Sequence, residues 1–216
     1  MRVSRTLWAL ALVVMSAALL MHEGAVLGAA LPQYDRVRVL EPSVPLKDVV
    51  LVDTAGEPFP LSRLQGKVAL VFFGFTNCPD ICPLSMQRLL ELHDSGKVDN
   101  DRVAFVLISV DGERDTPDAM KNFLSGYSTD FIGLTGDPKE VKKLTSQIRA
   151  PFYKGNEVGA AKGSYTVAHS PQVYAIDADG ALRAEFYNAS FEAMAGIAEA
   201  LIAEHEFRVT EIAATN

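Results

Sequence analysis

Two continuous apolar runs stand out from the pattern of hydrophobic and polar positions, because neither of them alternates with polar residues. They are Val68–Phe73 and Val103–Val110, and both are rich in β-branched and aromatic residues. Runs of this length and composition are typical of strands that are buried on both faces of a sheet. We therefore predict two central strands at these positions.

Shorter apolar segments predict the other strands of the sheet. Turn-forming residues separate the first two of them at Asp53–Gly56 and the last two at Asp177–Gly180, so each pair is expected to form a hairpin. The first hairpin is an N-terminal addition in front of the central strands. The predicted shorter strands are residues 49–52, 58–61, 131–134, 173–176 and 181–186.

Capping signals place three helices between and after the strands, and a leucine-rich stretch that ends near Gly96 predicts a fourth. Thr116 and Asp137 each precede a proline, which is the arrangement of an N-cap followed by proline at the first helical position. Ser190 is a third candidate N-cap. The predicted helices are residues 84–96, 117–127, 138–148 and 191–204. This order of elements predicts an α/β fold, a mixed sheet flanked by helices.

The N-terminal segment carries the three parts of an export signal. Arg2 and Arg5 are positive, Leu7–Met21 is apolar, and small residues follow at Gly28–Ala30. The apolar run approaches the length of a membrane span. We expect residues 1–30 to be a signal peptide or a membrane anchor. The mature chain is then exported to the periplasm, either soluble or tethered to the inner membrane.

The rest of the chain divides into three predicted parts. Residues 31–45 contain prolines and mixed polarity, which predicts an exposed arm. Residues 46–206 hold all the predicted strands and helices and form the folded domain. Residues 207–216 follow the last predicted helix, and we expect this tail to be only partly ordered.

Composition limits the classes of function. Of the 216 residues, 49% are hydrophobic and 22% charged, which is typical of a globular protein. The net charge of −7 provides no basic surface for nucleic acid, so we expect no nucleic-acid partner. The chain has only two cysteines, too few and too close together to staple a fold of this size. Their role is expected to be local and chemical.

Those two cysteines, Cys78 and Cys82, lie where a buried strand ends and a helix begins. Free backbone N–H groups at a helix start favour thiolates, so the position predicts a lowered cysteine pKa. The pair permits reversible disulfide formation or binding of a soft metal such as Cu(I) or zinc. Three residues separate the cysteines, whereas dithiol redox pairs usually have two, and this spacing favours the metal.

One of the four histidines is a candidate third ligand. His22 falls in the predicted export segment, His93 is expected on an exposed helix face, and His205 near the solvated C-terminus. His169 follows Tyr165–Ala168, which is predicted as a β-ribbon or an extended loop. In a thioredoxin-like topology that loop would face the cysteines. On position alone, a ligand role and an ordinary loop histidine both remain open.

Three motifs in order resemble the Sco/SenC family of thioredoxin-fold copper proteins, which help to assemble the CuA centre of cytochrome c oxidase. The motifs are Gly74–Pro83, Asp111–Pro117 and Val167–Ser170, and the resemblance spans roughly residues 40–205. It implies a thioredoxin-like version of the predicted sheet, with the N-terminal hairpin added to it.

The resemblance also implies a metal site. Cys78 and Cys82 match the copper-binding cysteines of the family, and His169 matches its histidine ligand. Copper, as Cu(I) or Cu(II), is the implied metal. Asp80 matches the acidic residue inside the cysteine loop.

Other positions of the motifs have less direct interpretations. Asp111 and Asp115 match the family's acidic motif, but from the residues alone we interpret them as loop-solvating and helix-capping groups. Ala168 departs from the acidic residue that commonly precedes the histidine in the family. Pro171 precedes a strand, as the cis-proline of ordinary thioredoxins does.

The implied function is that of a copper metallochaperone rather than an enzyme. Its expected partners are a copper-accepting client, cytochrome c oxidase subunit II, and a thiol reductant. The main alternative is an exported thiol-disulfide reductase that uses Cys78 as nucleophile and Cys82 as resolving thiol. A peroxide-reducing enzyme on the same fold is a further alternative. A zinc-stabilised module is disfavoured, because structural zinc sites usually have four protein ligands and only three candidates are found.

Overall fold

A computed structural model describes residues 30–79, 81–157 and 165–215 of the chain. The predicted export segment lies outside these residues up to position 29, and so does Asp80. Leu31–Asn216 forms one compact unit. Within the described part of the chain, no helix is both long and apolar enough to cross a membrane.

The described residues form ten strands and four α-helices. The strands are β1 Val37–Pro45, β2 Val50–Asp53, β3 Pro58–Pro60, β4 Val68–Gly74, β5 Val103–Ser109, β6 Ile132–Thr135, β7 Tyr153–Lys154, β8 Val167–Ala168, β9 Val173–Ile176 and β10 Ala181–Phe186. The helices are α1 Ile81–Asp94, α2 Pro117–Leu124, α3 Pro138–Gln147 and α4 Phe191–Thr215. The predicted mixed sheet flanked by helices is confirmed.

Eight of these strands form one sheet in the order β1-β10-β9-β4-β5-β6-β2-β3. The central strands β4, β5 and β6 are parallel, and β9 runs antiparallel to β4. The carboxyl ends of β4 and β5 therefore meet at one edge, where β9 begins. The predicted N-terminal hairpin is present as β2–β3, and it extends the sheet because β2 pairs with β6.

The core lies on both faces of the two central strands. Every residue of β4 and β5 is buried, as their continuous apolar sequences predict. Helix α4 packs against β4 and against α1. Met86 of α1 and Ile197 of α4 are fully buried in this layer. Each such side chain contributes about 1.5–3 kcal/mol of burial free energy. This packing holds α1, and with it the segment that precedes α1, against the sheet.

The predicted N-caps are confirmed by their hydrogen bonds. Thr116 Oγ1 accepts from the backbone N–H of Ala119 at 3.2 Å, and Asp137 Oδ1 accepts from that of Lys139 at 2.8 Å. Ser190 Oγ accepts from the N–H of Ala193 at 3.3 Å. These short-range signals hold because they depend only on neighbouring residues.

Residues 37–45 correct the prediction of an exposed arm over 31–45. They form the edge strand β1, which pairs antiparallel with β10 and has a register shift between Val39 and Val44. Arg38 also forms an ion pair with Glu185 of β10, with 3.2 Å between Nη1 and Oε2. Prolines are tolerated here because an edge strand leaves one row of backbone groups unpaired.

The C-terminus corrects the prediction of a partly ordered tail over 207–216. Helix α4 does not end at residue 204 but continues to Thr215. Arg208 anchors the added turns, because its Nη1 lies 2.9 Å from Glu204 and its Nη2 contacts Asp179. The sequence has no glycine or proline there to end the helix.

Candidate metal centre

The cysteines lie in the connection between β4 and α1. The backbone N–H of Cys78 donates to the carbonyl of Phe75 at 3.2 Å, which closes a turn directly after the strand. Helix α1 begins at Ile81, so Cys82 lies in its first turn. Cys78 is half-buried, Cys82 is buried, and both are free thiols. One sulfur therefore faces the surface and the other faces the core.

His169 approaches the cysteines from a different segment, the one that connects β8 to β9. It directly follows β8, which pairs with β7 to form the ribbon anticipated at Tyr165–Ala168. Its Nδ1 lies 3.0 Å from the carbonyl oxygen of Ser170 and donates to it in the neutral ring. This bond leaves the lone pair on Nε2 free to act as a ligand. The rings of Phe72 and Phe75 pack edge-on against the imidazole.

The structure brings the three predicted residues together. His169 Nε2 lies 3.4 Å from Cys82 Sγ and 3.9 Å from Cys78 Sγ. All three candidate ligand atoms lie within 4.8 Å of one another. His93 does not take part, because it lies between Asp94 and Asp130. His205 is beside Asp179 instead.

These separations fit a three-coordinate metal. Metal bonds of about 2.3 Å to sulfur and about 2.0 Å to nitrogen, as zinc makes, separate the two ligand atoms by about 3.7 Å when the angle at the metal is 120°. The observed 3.4 and 3.9 Å lie on either side of that value. Two thiolates and an imidazole form a soft donor set, which copper and zinc prefer over calcium or magnesium.

Burial sets the protonation of the ligands. It lowers the pKa of His169 below the usual 6.5, although the backbone bond to Ser170 opposes the shift, so the ring is neutral near pH 7. Burial also raises the pKa of the Cys82 thiol, although a backbone hydrogen bond with Phe75 opposes that shift. The prediction of a lowered cysteine pKa is therefore wrong for Cys82. Desolvation of the core-facing sulfur outweighs the helix start.

Asp115 holds the cysteine loop in place. Its side chain is fully buried and accepts hydrogen bonds from the Thr76 N–H at 3.0 Å, the Thr76 hydroxyl at 2.6 Å and the Ser109 hydroxyl at 2.7 Å. These bonds tie the residues before Cys78 to the end of β5. Asp115 therefore positions the loop that carries the candidate ligands.

Asp111 plays the same part for the histidine segment. This buried carboxylate accepts a hydrogen bond from the Tyr165 hydroxyl at 2.6 Å and forms an ion pair with Arg114. Arg114 lies over the Tyr165 ring, and its Nη1 donates to the Tyr165 carbonyl at 2.9 Å. Tyr165 stands four residues before His169, so the cluster holds the histidine segment beside the end of β5.

These contacts correct the interpretation of Asp111 and Asp115 as loop-solvating and helix-capping groups. Thr116 caps α2, and both carboxylates are buried. A buried carboxylate needs hydrogen-bond partners, and here the partners lie on the two ligand-bearing segments. Asp111 directly follows the predicted buried strand Val103–Val110, and Asp115 comes four residues later; this position was the signal that could have shown their burial.

The space around the Cys82 sulfur depends on Gly74. A Cβ at this position would lie 2.8 Å from Cys82 Sγ and 2.8 Å from the Phe72 ring. Glycine at the end of β4 therefore leaves the room that the sulfur occupies. Two other positions singled out in the sequence lie in the histidine segment. Ala168, which stands where the family commonly has an acidic residue, is exposed in β8. The Ser170–Pro171 bond is trans, unlike that of the cis-proline of ordinary thioredoxins.

Comparison with known proteins settles the family. The model of the SCO1/SenC family matches residues 45–203. The chain belongs to the SCO1/SenC family. An SCO2-like protein of Rickettsia conorii is similar to it, with 35% identity over 157 residues that cover 72% of this chain and 76% of the relative.

Solved structures of the family have the same fold. The Bradyrhizobium japonicum ScoI structure with copper bound is 38% identical in sequence and has a TM-score of 0.62. The matched region covers 70% of this chain and 95% of the ScoI chain. Yeast Sco1 with copper bound is 30% identical, with a TM-score of 0.61, covering 71% of this chain and 85% of its own. The thioredoxin-like fold class implied by the sequence motifs is confirmed.

Proposed function

We propose that this SCO1/SenC protein binds copper through Cys78, Cys82 and His169 and passes it to a client in cytochrome c oxidase assembly. The observation that carries the proposal is the position of His169 Nε2, 3.4 and 3.9 Å from the two sulfurs. Relatives of known structure, such as B. japonicum ScoI, have copper bound.

The ligand set suits both oxidation states of copper. Thiolates are the soft ligands that Cu(I) prefers, and an imidazole is a good ligand for Cu(II) as well. The neutral ring of His169 needs no deprotonation to bind. Cys82 must lose its proton when the metal binds, because burial raises the pKa of its thiol.

Copper is cargo in this proposal, so release matters as much as binding. Cys78 is half-buried, which gives a thiolate of a client access to the metal from that side. Ligand exchange can then replace Cys78, Cys82 and His169 in steps, so the ion is never without ligands. The family is linked to cytochrome c oxidase assembly, and we propose the CuA centre of subunit II as the destination.

The thiol state sets whether copper can bind. Joining Cys78 and Cys82 in a disulfide removes both soft ligands, so a thiol reductant partner belongs to the proposed cycle. We further propose that the site works outside the cytoplasm, on the basis of the signal-like pattern of residues 1–30. Detection of the protein in a periplasmic or membrane fraction tests that placement.

Copper titration of the reduced protein tests the proposed site. We expect one Cu(I) per chain, measured by competition with a chromogenic chelator. Cys78→Ser and Cys82→Ser should abolish tight binding, because each removes a soft thiolate. His169→Ala should weaken binding by at least about tenfold, since one of three ligands is lost.

His205→Ala is the matched control, because this histidine lies beside Asp179 rather than at the sulfurs. It should bind copper as the unsubstituted protein does. Copper binding that survives replacement of either cysteine would contradict the site. So would a reduced protein that takes up no copper.

The same geometry favours thiol-disulfide reduction as a second candidate. The half-buried Cys78 could attack a substrate disulfide as a thiolate, and the buried Cys82 could resolve the mixed disulfide. Both substrate sulfurs are then released as thiols, while Cys78 and Cys82 form a disulfide. His169→Ala separates the two functions, since it should lower copper affinity and largely spare reduction of a model disulfide.

A further inference from the structure

An open groove lies along α3, outside the candidate metal centre. It has a volume of about 450 Å³. Lys139, Lys142 and Thr145 recur on one face of the helix and form one wall. The opposite wall comes from the segment that leads into β7, with Phe152 and Tyr153.

The charge of this groove is opposite to that of the chain. The protein has a net charge of −7, yet the groove is lined by Lys139, Lys142 and Arg149 and by no acidic residue. Within the part of the chain that the structure describes, none of these three cations forms an ion pair. Positive charge that pairs with nothing in its own chain is available to a ligand.

The groove also has an exposed apolar side. Tyr153 is 68% exposed, although aromatic rings usually bury most of their area. Phe152 is half-buried beside it, and Pro138 and Pro151 complete the apolar lining. Exposed aromatic side chains and arginine, here Tyr153 and Arg149, are enriched in protein–protein interfaces.

One edge of the groove reaches the histidine segment. Tyr153 of β7 is the direct partner of Ala168 in β8, and His169 is the next residue. Opposed residues of an antiparallel pair lie about 5 Å apart, so a ligand against Tyr153 is one strand away from the candidate metal ligand.

We propose that the α3 groove docks an acidic protein segment that carries an apolar side chain, and that this segment belongs to a copper-exchanging partner. The link to copper rests on the proposed function, whereas the docking does not. Carboxylates of the segment pair with Lys139, Lys142 and Arg149, and its apolar side chain contacts Tyr153. A concave groove suits a protruding segment better than a flat lipid surface.

Binding of a defined peptide to the full-length, reduced and metal-free protein tests the proposal. The probe is a capped Glu-Glu-Phe-Glu-Glu peptide with a fluorescent label, and the control peptide is Gln-Gln-Phe-Gln-Gln. We expect the acidic peptide alone to bind, and binding to weaken at high salt, because screening acts on exposed charges. NMR signals of α3, Tyr153 and the His169 ring should shift as it binds.

Charge reversal in the groove provides the decisive comparison. The double variant Lys139→Glu/Lys142→Glu should lose at least about tenfold in peptide affinity, since two exposed attractions become repulsions. The control Lys67→Glu/Lys121→Glu has the same net charge but lies outside the groove, and should bind within about twofold of the parent. Both variants should titrate with copper as the parent does.

Several outcomes would overturn the proposal. They are equal binding of both peptides, an unaffected groove variant, or an unchanged His169 signal on saturation. Binding of vesicles of phosphatidylcholine and phosphatidylglycerol without binding of the peptide would assign the groove to a lipid surface instead. Because the peptide assay contains no copper, its failure is distinguishable from failure of the copper titration.

Discussion

Asp115 and Asp177 are both buried carboxylates, but they lie at opposite ends of the central strands and have different surroundings. Asp115, beside the carboxyl end of β4, accepts hydrogen bonds from Thr76 and Ser109, which are uncharged. Asp177, at the end of β9, faces the Arg183 guanidinium at 3.2 Å. Arg183 in turn binds Glu204 of α4.

The two carboxylates therefore have different roles: Asp177 helps to anchor helix α4, and Asp115 positions the cysteine loop. At the Asp177 end, the charges of Asp177, Arg183 and Glu204 pair with each other and hold α4 to the sheet. At the Asp115 end, the carboxylate is satisfied by a loop, and that loop presents sulfur to the imidazole of His169. Buried charge therefore stabilises the fold at one end and shapes a candidate metal centre at the other.

Replacing Asp115 should have the largest effect and should change both stability and metal binding. Asp115→Ala leaves one buried and two half-buried donors without their acceptor, which should cost about 3 kcal/mol of unfolding free energy. Copper affinity should fall by about tenfold or more, as for other groups that orient metal ligands. Denaturant unfolding and chelator competition measure the two effects. The exposed Asp118→Ala is the matched control; it should cost less than about 1 kcal/mol of unfolding free energy, as the loss of a charge in the first turn of α2, and should leave copper affinity unchanged.

Replacing Arg183 should change stability alone. Arg183→Met removes the partner of Asp177 and Glu204 while keeping most of the side-chain volume, and should cost about 2 kcal/mol of unfolding free energy. Copper affinity should stay within about twofold of the parent, because the change lies at the other end of the strands. A large loss of copper affinity in this variant would contradict the division between the two ends.

Acidification should weaken copper binding, because protons compete with the metal for the Cys82 sulfur. Because burial raises the pKa of Cys82, its thiol is protonated at neutral pH and copper must displace that proton. Displacement of the Cys82 proton alone should therefore lower copper affinity by at least about tenfold, or at least about 1.4 kcal/mol, for each pH unit lost between pH 8 and 6.5. Because the pKa of His169 is lowered, protons compete less for its ring than for an ordinary imidazole in this range. An affinity independent of pH would contradict the protonated Cys82.

The smallest effect is expected where one hydrogen bond of the Asp111 cluster is removed. Tyr165→Phe deletes the hydroxyl that donates to Asp111 and should cost about 1 kcal/mol of unfolding free energy. Copper affinity should drop by up to about tenfold, because the segment before His169 is held less firmly. Tyr153→Phe, on the exposed β7, is the control. If the two variants bind copper with equal affinity, the hydrogen bond between Tyr165 and Asp111 does not help to position His169.

The sequence was most informative where structure depends on neighbouring residues. The apolar runs of β4 and β5 predict buried strands, and Thr116, Asp137 and Ser190 cap their helices as expected. The candidate ligands were also identified in advance, two from their place at a strand end and His169 with the help of the family motifs. That they converge could be seen only in the fold.

The sequence was least informative where structure depends on distant residues. Val37–Pro45 becomes a strand because β10, more than 130 positions later, offers it an edge. Helix α4 extends to Thr215 because Arg208 finds Asp179 at the turn between β9 and β10. The roles of Asp111 and Asp115, and the raised pKa of Cys82, follow from burial against residues that are distant in the sequence.

The sequence separation of the candidate ligands has a mechanical consequence. His169 lies 91 positions from Cys78 and 87 from Cys82, so an ion held by all three would cross-link two distant parts of the chain. Unlike a disulfide, such a cross-link is present only while the chain is folded, and a competing thiol can withdraw it. At a free metal concentration 1,000 times the dissociation constant, it would add about 4.1 kcal/mol to the unfolding free energy. The loaded carrier would then be the more heat-resistant form, and giving up its cargo would loosen it.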